Sequence, residues 1–180
     1  MDGERFLDLL IPAAPAEAVD WNEVFHAELP RVFNYFRYRL GNRATAEDLT
    51  SLTFEKAWRA RRRYRKDRAA VATWLMAIAR NVAIDHFRRV PREVALEETS
   101  ASHERTPEAS ALHDERLRRL SVLLGDLPER ERELLALKYG AGATNRAIAT
   151  VVGLSESNVG TILYRTVGLL RARWDEGGSQ

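Results

Sequence analysis

The sequence predicts an all-α protein of two small helical domains, an N-terminal bundle and a C-terminal helix-turn-helix, joined by a flexible linker. Three observations predict it. Apolar residues recur at spacings of three and four from Trp21 onward, strand-like alternation is hard to find, and no glycine stands between Gly41 and Gly125. A chain of 180 residues with 45% hydrophobic content can form one ordinary domain or two small ones.

The elements follow in order. Residues 1–20 carry no assignable pattern. A first helix is expected from Trp21 to Leu40, its apolar side made by Val24, Leu29, Val32, Phe33, Phe36 and Leu40, and "GNRAT" breaks it. A second runs from about Ala44 to Arg62, with Leu49, Leu52, Phe54, Ala57 and Trp58 as its apolar members. After the basic loop "RRRYRKDRAAVA" comes "TWLMAIARNVAIDHFRR", whose core stripe is Val71, Trp74, Leu75, Ile78 and Val82. These helices, within residues 21–90, form one bundle. Residues 91–113 combine two prolines, small polar side chains and an acidic excess, which reads as a linker.

The second unit spans residues 114–176. In "LGDLPERERELLALKYG", Asp126 is the expected cap, Pro128 falls in the first turn and Gly140 ends the helix. Thr144 and Gly153 bracket the next helix, and Ser155 caps the last.

Composition excludes several classes. Without cysteine there are no disulfides or thiolate metal sites, and the four histidines are scattered without ligand spacing, so no metal or cofactor is expected. The first residues are too charged and the apolar run too short for a signal peptide or membrane span, which predicts a cytoplasmic protein without membrane insertion. "GAGAT" at residues 140–144 lacks the lysine and strand context of a phosphate loop, and no nucleophile with its base is visible, so no enzyme is expected. Charge is informative through its distribution. Residues 59–89 hold ten arginines and lysines against two acids, whereas residues 91–115 hold two arginines against seven acids. The basic block points to a polyanion partner.

Two constellations could meet one. Ala149, Gly153 and Val159 are spaced as in a helix-turn-helix: a small residue for close approach, a left-handed turn, and an apolar pin. On the last helix Val159, Ile162, Leu163, Thr166 and Leu170 face inward. Ser157, Gly160, Thr161, Tyr164 and Gly168 lie opposite, flanked by Asn158 and Arg165, a surface that fits a major groove. On the third helix Asn81, Asp85 and Arg88 fall within one arc beside the core stripe. From spacing alone this is either a ligand-facing ridge or a solvated Asp85–Arg88 ion pair. Trp58 and Trp74, on apolar faces, are expected in the core.

"AEDLTSLTFEKAWRA", then "TWLMAIARNVAIDHFRR", and later "LPERERELLALKYGAGATNRAIATVVGLSESNVGTILYR" together resemble the two blocks of bacterial RNA polymerase sigma factors of the extracytoplasmic-function group, over about residues 21–90 and 114–174. The resemblance implies a protein that binds the clamp of core RNA polymerase, directs it to minus-10 and minus-35 promoter elements and assists melting, with an anti-sigma factor as a further partner. By position it implies Asp48, Leu52 and Phe54 at the polymerase, although Ser51 and Leu52 stand where the family usually has glutamine and glutamate. It implies Arg62, Tyr64, Arg65, Lys66, Asn81, Asp85, Arg88 and Arg89 at the minus-10 element, with Tyr64 able to stack on a flipped base. Ser157, Asn158, Thr161 and Arg165 fall at the minus-35 positions. The rival is a stand-alone helix-turn-helix regulator with an N-terminal sensing or dimerisation domain. Such a domain has no need of an arginine-rich loop beside Asn81.

Overall fold

The structure, a computed structural model, describes residues 19–89 and 119–176. Among these residues the regular elements are all helical. The proposed extension and linker lie outside the described residues, apart from residues 19 and 20.

Helix α1 (Trp21–Leu40) starts where Asp20 accepts hydrogen bonds from the Asn22 and Glu23 amides, and stops at Gly41 in the left-handed conformation, φ 76°. Helix α2 (Arg43–Ala60) is capped by Asn42, whose Oδ1 accepts from the Thr45 amide at 2.9 Å, and tightens into a 3-10 turn over Arg61–Arg63. Helix α3 (Val71–Arg89) closes the first bundle, burying Leu75, Met76, Ala79, Val82 and Ala83.

Two of the apolar residues on α2 are exposed, and of these Trp58 is the one expected in the core. Trp58 is 54% and Leu52 36% accessible, while Ala46, Leu49, Thr50, Thr53 and Ala57 make the buried side. Small residues let α2 lie close to its neighbours. The hydroxyls of Thr50 and Thr53 donate to the carbonyls of Ala46 and Leu49, so they enter the core without an unsatisfied group.

In the second unit, helix α4 covers residues 119–125, and α5 (Glu129–Leu135) runs into a π-helical turn, Ala136–Gly140. The cap differs from expectation. Pro128 occupies the capping position with no side-chain hydrogen bond, and the Asp126 amide instead donates to the Val122 carbonyl. Helices α6 (Asn145–Val152) and α7 (Glu156–Glu176) complete the unit.

The two units are packed together. Helix α1 lies against the π turn and α3 against α6. One apolar core runs from Val32, Phe36 and Leu75 through Leu134 and Leu137 to Ile148 and Val159.

Candidate nucleic-acid interface

The ridge of α3 is held in place by its buried side, on which Val82 is 1% exposed. Asn81, Arg88 and Arg89 are exposed and Asp85 is half-buried. Asp85 does not pair with Arg88. Its Oδ2 lies 3.5 Å from Lys56 Nζ of α2, and Asp85, Arg88 and Arg89 line one open depression. The cross-helix pair fixes Asp85 while leaving both arginines outward.

The basic loop is ordered by its aromatic residue. Tyr64 donates its hydroxyl proton to the Ala69 carbonyl at 3.0 Å, and its ring meets Trp21 edge-on at 5.9 Å and Trp74 at 5.2 Å. Trp21 and Trp74 are themselves 5.8 Å apart, so Tyr64 closes a three-ring cluster and is half-buried in it. Arg65 donates from Nε and Nη2 to the two carboxylate oxygens of Asp67, and this guanidinium holds the Asp67 carboxyl below its usual range. Arg62, Arg63, Lys66 and Arg68 are exposed. Trp58, expected inside, stands at the same end of the bundle with the Arg61 guanidinium 3.8 Å over its ring.

Helix α2 presents Asp48, Ser51 and Leu52 to solvent, one turn apart on one strip. Phe54 lies at the edge of this strip, half-buried against Phe25 with centroids 4.8 Å apart.

The helix-turn-helix forms as its spacing requires. Gly153 has φ 73° and ψ 38°, and its amide and that of Leu154 both donate to the Ala149 carbonyl. Thr144 Oγ1 accepts from the Ala147 amide and Ser155 Oγ from the Asn158 amide, each at 3.2 Å. Val159, Leu163 and Thr166 are buried, which turns Ser157, Asn158, Thr161 and Arg165 outward. Tyr164 shares that outward side and is 83% exposed, a large amphipathic side chain next to Arg165. The helical wheel had already put it there, but position in the family pattern gave it no role.

No group of three or more histidine, cysteine, aspartate or glutamate side chains is placed to hold a metal among the described residues, and no helix among them is long and apolar enough to cross a membrane.

Comparison with known proteins follows the same division. The family pattern for Sigma-70 region 2 matches residues 24–93 and that for Sigma-70, region 4 matches residues 117–170. The ECF RNA polymerase sigma factor BldN of Streptomyces coelicolor is 32% identical over 173 residues, which cover 94% of this chain and 66% of BldN. The ECF RNA polymerase sigma factor SigC of Mycobacterium tuberculosis is 31% identical over 165 residues, covering 91% of this chain and 86% of SigC. Among solved structures, the sigma factor RpoE from the RpoE–NepR anti-sigma complex of Bartonella quintana matches with a TM-score of 0.66 at 22% identity, over 85% of this chain and 95% of that one. CnrH, solved with the cytosolic domain of CnrY, gives 0.60 at 23% identity over 87% and 86% of the two chains. The structural matches establish a common fold, and the sequence matches establish descent: the chain belongs to the ECF RNA polymerase sigma factors.

Proposed function

We infer that this chain is a promoter-specificity subunit. It binds core RNA polymerase, reads a minus-10 element with the α3 ridge and basic loop, reads a minus-35 element with the outward face of α7, and catalyses no reaction of its own. The observation that carries the reading is the pairing, in one member of this family, of two separate exposed, arginine-bearing helix faces on two helical units. Each surface alone is modest. Linking them makes the second contact intramolecular, which raises affinity without new contacts.

At the minus-10 side, Arg62, Lys66, Arg88 and Arg89 supply phosphate contacts and Asn81 a base-edge donor and acceptor. Tyr64 serves mainly to hold the loop, because its ring already packs on Trp21 and Trp74. Arg65 reaches DNA only by leaving Asp67. The polymerase clamp is assigned to the α2 strip around Asp48 and Leu52, with Phe54 at its edge. The RpoE structure contains the anti-sigma factor NepR, and we assign this chain a partner of the same class. A cytoplasmic location follows from the polymerase partner.

Run-off transcription with purified core polymerase and genomic promoter fragments tests the reading. The expected result is promoter-specific transcript only when the protein is added. Absence of both transcript and binding to core polymerase would overturn it.

A further inference from the structure

Around the basic loop the aromatic side chains are paired with one another, with one exception. Trp21, Tyr64 and Trp74 form the three-ring cluster, and Phe25 takes up Phe54. Trp58, one turn beyond Phe54 on α2, meets no other aromatic ring among the described residues and stays 54% accessible. Its ring is nevertheless held. Arg61 donates from Nη1 to the Trp58 carbonyl at 2.7 Å, and its guanidinium carbon lies 3.8 Å from the centre of the indole. The arginine is thus anchored to the backbone of the residue on which it stacks, which fixes the direction of the ring. With Arg61 on one face and half of the residue still in water, ring surface remains for a second planar group. A ring oriented in advance costs less entropy to stack upon than a mobile one.

The surroundings select the partner. Residues 59–68 hold seven arginines and lysines against one acid. Arg59 is engaged by Glu55 and Arg65 by Asp67, whereas Arg62 and Arg63 are exposed and form no ion pair with a described residue. An accessible ring beside unpaired guanidiniums is the combination that holds single-stranded nucleic acid, the cations following the phosphates and the ring taking a base. Duplex DNA offers such a ring little, because its bases are stacked on their neighbours and present only edges in the grooves. Tyr64, which its place in the sequence suggests for this task, is half-buried with its hydroxyl tied to the Ala69 carbonyl. The strip assigned to the polymerase lies on the same helix but further from the loop. Trp58 follows Ser51 by seven residues, about 10 Å along the axis at ~1.5 Å per residue, with Glu55 between them.

We propose that Trp58, backed by Arg61, is a stacking platform for one unpaired base of single-stranded DNA, with Arg62 and Arg63 on the adjoining phosphates. In the promoter complex this base belongs to a strand of the opened duplex, a placement that rests on the sigma-factor reading; the affinity for a single strand does not.

Trp58→Ala and Trp58→Phe test the platform in the full-length protein. The probes are a labelled oligothymidylate of about twelve nucleotides, within the usual site size for such contacts, and a duplex of the same length, followed by fluorescence anisotropy. Trp58→Ala should weaken binding of the single strand about tenfold, the usual loss for one base–aromatic stack, and leave binding of the duplex unchanged. Trp58→Phe, which keeps a ring, should recover most of that loss. Unlabelled oligothymidylate should quench the tryptophan emission of the unaltered protein by an amount that disappears in Trp58→Phe. Both variants should keep their circular dichroism and urea midpoint, because the replaced side chain is on the surface. Equal affinity of Trp58→Ala and the unaltered protein for the single strand, or no binding by the unaltered protein, overturns the platform. An equal loss on the duplex overturns it too, since it marks a contact to backbone or groove. A Trp58→Ala protein that holds the single strand normally but binds core polymerase more weakly gives the ring to the polymerase instead. Single-strand binding through Trp58 with no transcription from any promoter fragment overturns the sigma-factor reading and leaves the platform standing.

Discussion

On the proposed reading, single side chains decide where each of the two surfaces touches bases and where it touches phosphate. Arg165 lies outward on α7 beside Tyr164, with the buried Leu163 and Thr166 fixing its direction. Arg165→Ala should therefore reduce promoter-directed transcription about tenfold, the loss of one good base or phosphate contact, while leaving the unfolding midpoint unchanged. A variant as active as the original protein would show that α7 enters the groove on another side. At the proposed minus-10 surface, Arg88→Ala and Arg89→Ala should each lower the slope of log affinity against log salt by about one if they touch phosphate. Titration of promoter binding across salt concentrations measures this. The outward residues of α7 were legible because a strong apolar stripe fixes the opposite face. Trp58 was not, because the buried side of α2 is made of alanines and threonines that carry little hydrophobic signal. The pairing of Asp85 with Lys56 rather than Arg88 was also hidden, since it crosses between helices. Arg39 gives no sign in the local sequence of being buried, as its partners Glu129 and Glu133 lie some ninety residues later.

At the scale of elements, the ends of helices were the most readable part of the chain. Gly41 and Gly153 both adopt the left-handed backbone that their position after an apolar period suggests, and Thr144 and Ser155 both cap. The turn of the helix-turn-helix permits a clean test of backbone strain. No atom lies within 4 Å of a Cβ built on Gly153, so Gly153→Ala adds no clash and the cost is conformational alone. It should destabilise the protein by about 1–2 kcal/mol, the penalty for a side chain in the left-handed region, seen as a lower midpoint in urea. No change would mean that the turn relaxes to another conformation. The start of α5 was read incorrectly because Asp126 followed by Pro128 satisfies the usual capping pattern. The local chain instead lets the Asp126 amide prolong α4. The π turn at Ala136–Gly140 has no sequence signature of its own. It accompanies the close approach of Gly140 to Asn34, a requirement set by the other unit.

At the scale of the whole molecule, the sequence indicates two units but not that they share a core. Apolar periodicity reports that a face is buried, not against what. Tyr35 shows the consequence. It is fully buried, with Arg39 beside it on α1, Arg80 on α3 and Glu133 on α5 among the charges that act on its hydroxyl. Burial is the largest effect and raises the phenol above its ordinary value near 10, reinforced by Glu133 and opposed by the two arginines. A group whose folded value is raised contributes stability that is fully present below its unfolded value and lost as pH climbs toward the folded one. The protein should accordingly lose stability as pH rises above about 10, because the unfolded chain releases this proton first. Tyr35→Phe should remove that part of the loss. It should change little at pH 8, since the hydroxyl forms no hydrogen bond of good geometry. Other tyrosines and lysines titrate in the same range, so the informative quantity is the difference between the two proteins in urea midpoint from pH 8 to 11. A constant difference would mean that Tyr35 ionises as freely in the folded state as in the unfolded one, and that the seam between the units is open to water.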